Sequence, residues 1–106
     1  MKFKVEFTTT AVRELKKLTV QAQKAIIEDT IKLEKTPFPY KKKVKRIQGM
    51  KFPCYRLRID TASDSFRLFY GIEQNVVYVL RIVPKKDSEK IIKSIKKSDF
   101  PPDIPQ

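Results

Sequence analysis

Three closely spaced segments in the second half of the chain carry the patterns of β-strands, and they restrict the fold more than any other feature. Residues 54–60 and 66–72 alternate side chains of different character, with the period of two that is typical of strands. Residues 76–83 form an almost continuous apolar run that ends before Pro84, as in a strand buried on both faces. Because only short stretches join these segments, they predict an antiparallel sheet in which the last strand is central.

The first half of the chain predicts one clear strand and two helices. Residues 2–7 alternate charged and bulky apolar side chains, and the threonines that follow can cap a helix. Apolar side chains at helical spacing predict helices over 11–18 and 20–35, joined as an antiparallel hairpin and stopped before Pro37. Residues 44–47 are compatible with a further short strand.

The apolar stripe of Ile91, Ile92 and Ile95 predicts a short C-terminal helix. Together the patterns predict an α+β fold: an N-terminal strand and helical hairpin packed on an antiparallel β-sheet, followed by that helix. The helices should cover one face of the sheet. We expect one domain over residues 1–97 and a tail over 98–106, which contains three prolines and two acidic residues.

Positive charge is concentrated in two blocks of the chain. The chain contains 24 lysines and arginines and 12 acidic residues, which gives a formal net charge of +12. Residues 35–59 contain nine basic residues and no acidic one. Residues 84–97 contain six basic and two acidic residues. Such a field attracts polyanions, so nucleic acid, anionic lipid and an acidic protein all qualify as partners. A solvated, lysine-rich surface has the same composition.

The residue types that are missing exclude several classes of site. With no histidine and with Cys54 as its one cysteine, the chain lacks the ordinary ligands of a zinc site and the parts of a histidine triad. We therefore expect no metal and no cofactor, and catalysis would depend on Lys, Arg, Tyr, hydroxyl or carboxylate groups. The sequence has no apolar stretch of ~18 residues and no signal-peptide block, which predicts a cytoplasmic protein.

Five cations are predicted to converge on the sheet face opposite the helices. Arg56 and Arg58 are two positions apart on one strand and therefore share a face, and Arg67 lies on the same face if the two strands pair. Lys85 and Lys86 follow the last strand. Arginine forks bind phosphate oxygens in pairs and stabilise a pentacoordinate phosphorus, so this cluster suits a phosphodiester. A solvated strand face rich in arginine would show the same spacing.

Several of these segments resemble the RelE/ParE toxin family. The likeness extends over roughly residues 3–92 in the family's order, and its most specific part is the Tyr-Arg-Leu-Arg-Ile block followed by the Phe-Arg-Leu-Phe-Tyr strand. The similar segments are residues 11–18, 46–50, 54–59, 65–70 and 76–86.

The resemblance implies a microbial type II toxin with a RelE-like fold. The RelE branch enters the ribosomal A site and cuts mRNA there without a metal, which implies a ribosome-dependent endoribonuclease that inhibits translation. Carried over by position, the basic residues of the family's second strand are Arg56 and Arg58, and the arginine of its third strand is Arg67. The basic residue after the last strand is Lys86, with Lys85 beside it.

A reaction can be assigned to these residues as a hypothesis. A ribose 2′-hydroxyl would attack its own adjacent phosphate, which requires a base, stabilisation of the oxyanion and an acid for the leaving group. Repulsion among clustered cations favours a neutral amine, so Lys86 is the candidate base. Arg67 would stabilise the phosphorane, while Arg56 and Arg58 would hold the phosphate.

Six further basic side chains are candidates for binding the RNA backbone. They are Lys41, Lys42, Lys43, Lys45, Arg46 and Lys51. The resemblance also implies a cognate antitoxin and a toxin–antitoxin hetero-oligomer. The antitoxin would cover or displace the C-terminal element at Ile91, Ile92 and Ile95, which in the free protein would dock on the sheet.

The sequence departs from the RelE pattern at one position, which leaves other functions open. RelE-type nucleases usually have a Tyr or His near the C-terminus that contacts the nucleotide, whereas this region is Ile91-Ile92 here. Tyr55 and Tyr70 are better interpreted as core aromatics. The departure favours a ParE-like inhibitor of DNA gyrase, and a non-catalytic basic module that binds RNA or antitoxin is the third reading.

Overall fold

The computed structural model describes residues 2–97 and Phe100. The predicted α+β class is confirmed, with the helical hairpin packed on the sheet and a short C-terminal helix. The elements are β1 (Lys4–Phe7), α1 (Thr9–Lys16), α2 (Val20–Lys32), β2 (Val44–Arg46), β3 (Cys54–Asp60), β4 (Ser65–Glu73), β5 (Val76–Pro84), a 3₁₀ turn (Lys85–Asp87) and α3 (Ser88–Lys96).

Within the described residues, five strands form one sheet in the order β1-β5-β4-β3-β2. The strands from β2 to β5 pair antiparallel with their neighbours, and β5 lies in the interior as predicted. β1 differs from the predicted antiparallel arrangement because it pairs in parallel with β5. Short connections enforce antiparallel pairing only between successive strands, whereas β1 is followed by the helical hairpin and is free to pair with a distant strand.

Threonine side chains begin both helices of the hairpin. The Thr8 and Thr19 hydroxyls each accept a hydrogen bond of 3.1 Å, from the N–H groups of Ala11 and Ala22. α2 ends at Lys32, three residues earlier than predicted. Pro37 disfavours helical backbone in the residue just before it. The chain turns there, and the Pro37 carbonyl accepts a 2.6 Å hydrogen bond from the Tyr70 hydroxyl.

Each face of the sheet carries its own apolar cluster. On one face the helical hairpin packs over side chains such as Leu57 and Leu68. On the other, Ile91 and Ile95 of α3 pack against a second cluster that includes Phe69. The expectation that all helices cover one face was therefore wrong for α3. Apolar side chains of β3, β4 and β5 that point away from the hairpin provide α3 with a buried surface of its own.

Gly71 allows the Phe100 ring to lie close to the sheet. The Phe52 and Phe100 rings are stacked with centroids 4.1 Å apart, and the Tyr78 ring meets Phe100 edge-on at 5.6 Å. A Cβ atom on Gly71 would lie 2.6 Å from Phe100 Cε2 and 2.9 Å from Phe52 Cε2. Apart from Phe100, the predicted tail over 98–106 lies outside the described residues.

Glu14 of α1 compensates for the short length of β1. β1 ends with Phe7 opposite Val79, so no strand partner remains on that side for the later residues of β5. The Glu14 carboxylate instead accepts a 2.9 Å bond from the Ile82 N–H and bonds of 3.1, 3.0 and 2.8 Å from the Arg81 guanidinium. These bonds connect the hairpin to the end of β5 that precedes the 3₁₀ turn.

Replacing Glu14 with alanine should destabilise the protein. The change would leave the Ile82 N–H and the partly buried Arg81 guanidinium without these acceptors, which typically costs about 2 kcal/mol. The free energy of unfolding, measured by urea denaturation, should fall by that amount. Glu28→Ala, at an exposed position of α2, is the matched control and should change it by less than about 0.5 kcal/mol. Equal effects of the two substitutions would contradict the assigned role of Glu14.

Candidate functional site

The pairing of β3 with β4 brings arginine side chains together on one face of the sheet. Arg58 lies directly opposite Arg67, and Arg56 lies opposite Phe69. All three arginines lie on the face away from the helical hairpin, because the alternate positions of both strands pack in the hairpin cluster. The predicted convergence of these three side chains is therefore present.

Arg67 is a buried cation with few partners. Its residue is 5% exposed, its Nη1 donates a 2.9 Å hydrogen bond to the Phe66 carbonyl, and the nearest carboxylate oxygen, Asp60 Oδ1, is 3.9 Å away. Burial, followed by the charge of Arg58, lowers the pKa of the Arg67 guanidinium. An anion that reached this group would meet a positive charge only weakly screened by water.

Arg56 adds a second partly desolvated guanidinium. Its Nη2 donates a 3.1 Å hydrogen bond to the Lys42 carbonyl, while its Nε is buried without a partner among the described residues. Burial, and then the charges of Arg67 and Arg58, lower its pKa. The register places the three guanidiniums on neighbouring positions of one sheet face, so their charges act on one small region.

Asp60 is the acidic member of the cluster. Its Oδ2 accepts a 2.8 Å hydrogen bond from Arg58 Nε. The pKa of the Asp60 carboxyl is lowered, chiefly by a hydrogen bond from the Ser65 side chain and further by Arg58 and Arg67. Sequence reasoning did not identify Asp60 as a partner of the arginines, although its spacing of two from Arg58 puts it on the same face of the strand.

Lys85 and Lys86 lie on the 3₁₀ turn that follows β5. Both are exposed, and together with Asp64, Ser65 and Pro84 they line an open cleft of about 660 Å³. Ser65 lies directly opposite Asp60 in the β3–β4 register, so the lysine cleft adjoins the arginine cluster. The surface combines two lysine ammonium groups with an open cleft, as is suitable for an extended anionic ligand.

Comparison with known proteins identifies the family. The family model described as the ParE toxin of type II toxin–antitoxin systems, parDE, matches residues 5–89. This chain belongs to that family of toxins. No curated protein matches the chain.

Solved structures of RelE toxins share the fold of this toxin. A double arginine-to-alanine variant of E. coli RelE in the free state is 21% identical, with a TM-score of 0.71, and the match covers 92% of this chain and 98% of that one. The RelBE2 toxin–antitoxin complex of Mycobacterium tuberculosis is 27% identical, with a TM-score of 0.65 and coverage of 80% and 100%. The archaeal RelE–RelB complex of Pyrococcus horikoshii is 22% identical, with a TM-score of 0.62 and coverage of 80% and 97%.

The six candidate RNA-binding residues do not form one surface in the toxin. Lys45 lies opposite Arg56 and shares its face, whereas Arg46 lies opposite Tyr55 and belongs to the hairpin face. The Lys43 ammonium is 2.9 Å from Asp29 of α2 and is thereby directed toward the hairpin. Strand alternation therefore separates Lys45 from Arg46. The ion pair between Lys43 and Asp29, which sequence reasoning did not anticipate, directs Lys43 away from Lys45 as well.

The remaining lysines of this set lie in loops. Lys41 has a φ of +52° in the tight turn before β2, and its ammonium is 5.5 Å from the centroid of the exposed Tyr40 ring. Lys42 is exposed and its carbonyl is the acceptor for Arg56. Lys51 is exposed in the loop between β2 and β3. The turn at 40–43 is thus attached to the arginine-bearing strand by two hydrogen bonds, from Arg56 Nη2 to the Lys42 carbonyl and from the Arg58 N–H to the Lys43 carbonyl.

The predicted antitoxin-contact residues of the toxin lie at the interface between α3 and the sheet. Ile91 and Ile95 are buried, and Ile92 is half-buried at the margin of the same cluster. An antitoxin that binds these side chains must first move α3 away from the sheet. The alternative of simple docking in the free protein agrees with this packing.

Buried groups cannot serve as catalytic groups in this state of the toxin. Tyr55 and Tyr70 are core side chains as interpreted from the sequence, and burial raises the pKa of the Tyr70 phenol. Burial also raises the pKa of the Cys54 thiol to about 12. Among the described residues there is no group of three or more His, Cys, Asp or Glu side chains placed to hold a metal. The same residues include no helix long and apolar enough to cross a membrane.

Cys54 should be unreactive in the folded toxin. Because the thiolate is the reacting species, a pKa raised from 9.0 to about 12 lowers its reactive fraction at pH 8 roughly 1,000-fold. Labelling with a disulfide reagent at pH 8 should therefore be slower by at least that factor than labelling of the urea-unfolded chain. Equal rates in the two states would show that the α3 face opens freely.

Proposed function

We propose that this toxin is an mRNA endoribonuclease that acts in the ribosomal A site and inhibits translation in the cytoplasm. The observation that carries the proposal is the buried Arg67 guanidinium directly opposite Arg58, next to a cleft lined by Lys85 and Lys86. A desolvated cation with few partners stabilises developing negative charge better than an exposed one, which is what cleavage of a phosphodiester requires. The shared fold with RelE toxins supports the same branch.

The proposed reaction uses only side chains of the chain itself. The ribose 2′-oxygen attacks the adjacent phosphorus while Lys86 accepts the hydroxyl proton. The bond between phosphorus and the 5′-oxygen then breaks, and Lys85 protonates the leaving oxygen, which gives a 2′,3′-cyclic phosphate and a 5′-hydroxyl. Arg67 stabilises the phosphorane, and Arg56 and Arg58 balance the charge of the phosphate.

We further propose that the RNA continues along the edge of the sheet from Arg56 toward the turn at 40–43. Lys42 and Lys45 lie next to Arg56, and the exposed lysines Lys41 and Lys51 extend the positive surface. These side chains would contact phosphates and orient the strand without reading its sequence. We assign Lys43 and Arg46 to the margin of this RNA-binding surface, because both lie toward the hairpin side.

A cognate antitoxin is the second proposed partner, in a toxin–antitoxin hetero-oligomer. The structures from M. tuberculosis and P. horikoshii are complexes of a toxin with its antitoxin. We infer that the antitoxin of this chain exchanges with α3 at Ile91, Ile92 and Ile95. Because α3 follows directly after the turn that carries Lys85 and Lys86, its displacement would also alter the cleft.

Inhibition of DNA gyrase without nuclease activity is the competing function. Two observations favour it: the matching family description is ParE, and the half-buried Ile92 occupies the region where RelE-type nucleases usually carry an aromatic or imidazole side chain. A non-catalytic module that binds RNA or antitoxin through the same basic face is the third possibility. Cleavage of mRNA, loss of DNA supercoiling by gyrase and salt-sensitive binding without either effect distinguish the three functions.

Wild-type protein in a purified coupled translation system should cut the translated mRNA at discrete positions within the coding region. Arg67→Ala should lower the rate of cleavage at least about 100-fold, because it removes the group that stabilises the phosphorane. Arg13→Ala, an exposed arginine of α1, is the matched control and should cleave as the wild type does.

Because Arg67 is buried, thermal unfolding of each variant must accompany the assay, and Arg67→Lys provides a second test. That variant keeps the charge but lacks the planar fork, so an intermediate loss of about tenfold is expected. Continued translation with intact mRNA in the presence of wild-type protein would refute the nuclease proposal. A gyrase supercoiling assay would then test the ParE-like function.

Lys86→Met should abolish cleavage while leaving the protein folded and associated with ribosomes. Methionine has similar length but accepts no proton, so the loss should appear in the single-turnover rate, by about 100-fold or more. Lys24→Met, at an exposed position on α2, controls for the loss of one positive charge. Unchanged cleavage by the Lys86 variant would remove that residue from the role of base.

A further inference from the structure

The Asp60 carboxylate is surrounded by donors that a phosphate would also use. Asp60 is the last residue of β3, and its Oδ2 accepts a 2.8 Å hydrogen bond from Arg58 Nε. Its Oδ1 is 3.9 Å from Arg67 Nη1, and Ser65, whose hydroxyl is a donor, lies directly opposite Asp60 in the β3–β4 register. Guanidinium and hydroxyl groups bind carboxylate and phosphate oxygens in the same way. The three donors therefore form an anion site, and the protein's own carboxylate fills it.

The arginines need a negative charge at this position in the absence of a ligand. Arg58 and Arg67 are directly opposite in the β3–β4 register, an arrangement that is destabilising for like charges. Arg67 is too buried for water to screen the repulsion effectively. The register itself cannot relax, because the alternate residues of both strands are buried under the helical hairpin. Asp60 provides the compensating charge.

The carboxylate is held loosely enough to be replaced. Its side chain is 43% exposed, and the separation of 3.9 Å from Arg67 is longer than a hydrogen bond. A phosphodiester with two free oxygens can bind Arg58 and Arg67 at hydrogen-bond distance, which Asp60 does not achieve for Arg67.

We propose that Arg58, Arg67 and Ser65 form a subsite for one phosphodiester, that Asp60 occupies it in the free protein, and that the phosphate of the RNA must displace Asp60 in order to bind. This inference rests on the proposed function, since the displacing ligand is the RNA backbone. Asp60 thereby acts as an internal competitor. Its negative charge stabilises the two arginines in their positions, and it weakens the binding of anions that do not displace it from the subsite.

Removing the charge of Asp60 should strengthen binding of anions. Asp60→Asn keeps the shape and one acceptor oxygen but removes the competing charge, so the affinity for inorganic phosphate should rise about fivefold. Asp64→Asn is the matched control: it changes the net charge equally, lines the same cleft and makes no ion pair with an arginine among the described residues. Its affinity should change less than twofold.

Phosphate binding can be followed directly at the Arg58 side chain. The NMR signal of the Arg58 Nε–H reports the bond to Asp60 and its replacement by phosphate, at constant ionic strength. A 2′-O-methyl RNA pentamer, which cannot be cleaved, tests the same subsite with a nucleic-acid backbone. Thermal unfolding checks the fold: Asp60→Asn should unfold at a lower temperature than Asp64→Asn, and phosphate should recover more of the stability of the Asp60 variant.

An increase in affinity for Asp60→Asn alone, with both probes, would support the displacement. Equal effects of Asp60→Asn and Asp64→Asn would mean that only the general field matters, and a lower affinity of Asp60→Asn would mean that Asp60 positions Arg58 instead; either result overturns the inference. A gain for phosphate without a gain for the RNA pentamer would overturn it as well. Failure of mRNA cleavage in the translation assay, with the binding result intact, would refute the proposed function and leave the anion site standing.

Discussion

The antiparallel register between β3 and β4 is the constraint on which both the core and the cleft of this toxin depend. The same ladder places Tyr55 opposite Tyr70 under the helical hairpin and Arg58 opposite Arg67 on the other side. Because side chains alternate along a strand, a slip of one residue would move the arginines into the core and the aromatic rings out of it. Burial of the apolar face therefore fixes the register. This register keeps two like charges opposite each other in spite of their repulsion.

This opposition gives the cleft its electrostatic character. Burial and the charges of neighbouring arginines lower the pKa of the Arg56 and Arg67 guanidiniums. A site whose charges are already fixed before the ligand arrives needs little rearrangement to stabilise an anion, and this is the basis of the proposed catalysis. In the unliganded state, the Asp60 carboxylate, together with the Ser65 hydroxyl, offsets part of the repulsion between the arginines.

The second face of the sheet is shared between the cleft and α3. The apolar residues around Phe69 bind the helix, while the arginines occupy the adjoining part of the same two strands. α3 follows directly after the 3₁₀ turn, and that turn carries Lys85 and Lys86. Glu14 adds to this by binding the backbone of β5 just before the turn. A partner that exchanges with α3 would therefore act on the cleft through its lysines, without having to contact the arginines.

The amino-acid sequence by itself determined the strands, the hairpin, the face on which the three arginines lie and the type of family to which the chain belongs. These depend on local periodicity, on threonine caps and on proline stops, all of which act within a few residues. Only the tertiary structure decided that β1 pairs in parallel with β5, that α3 packs on the arginine face, that Asp60 meets Arg58, and that Lys43 turns to Asp29. Each of these depends on which distant surfaces are left uncovered once the sheet has formed, and the periodicity of a single segment carries no information about its neighbours in space.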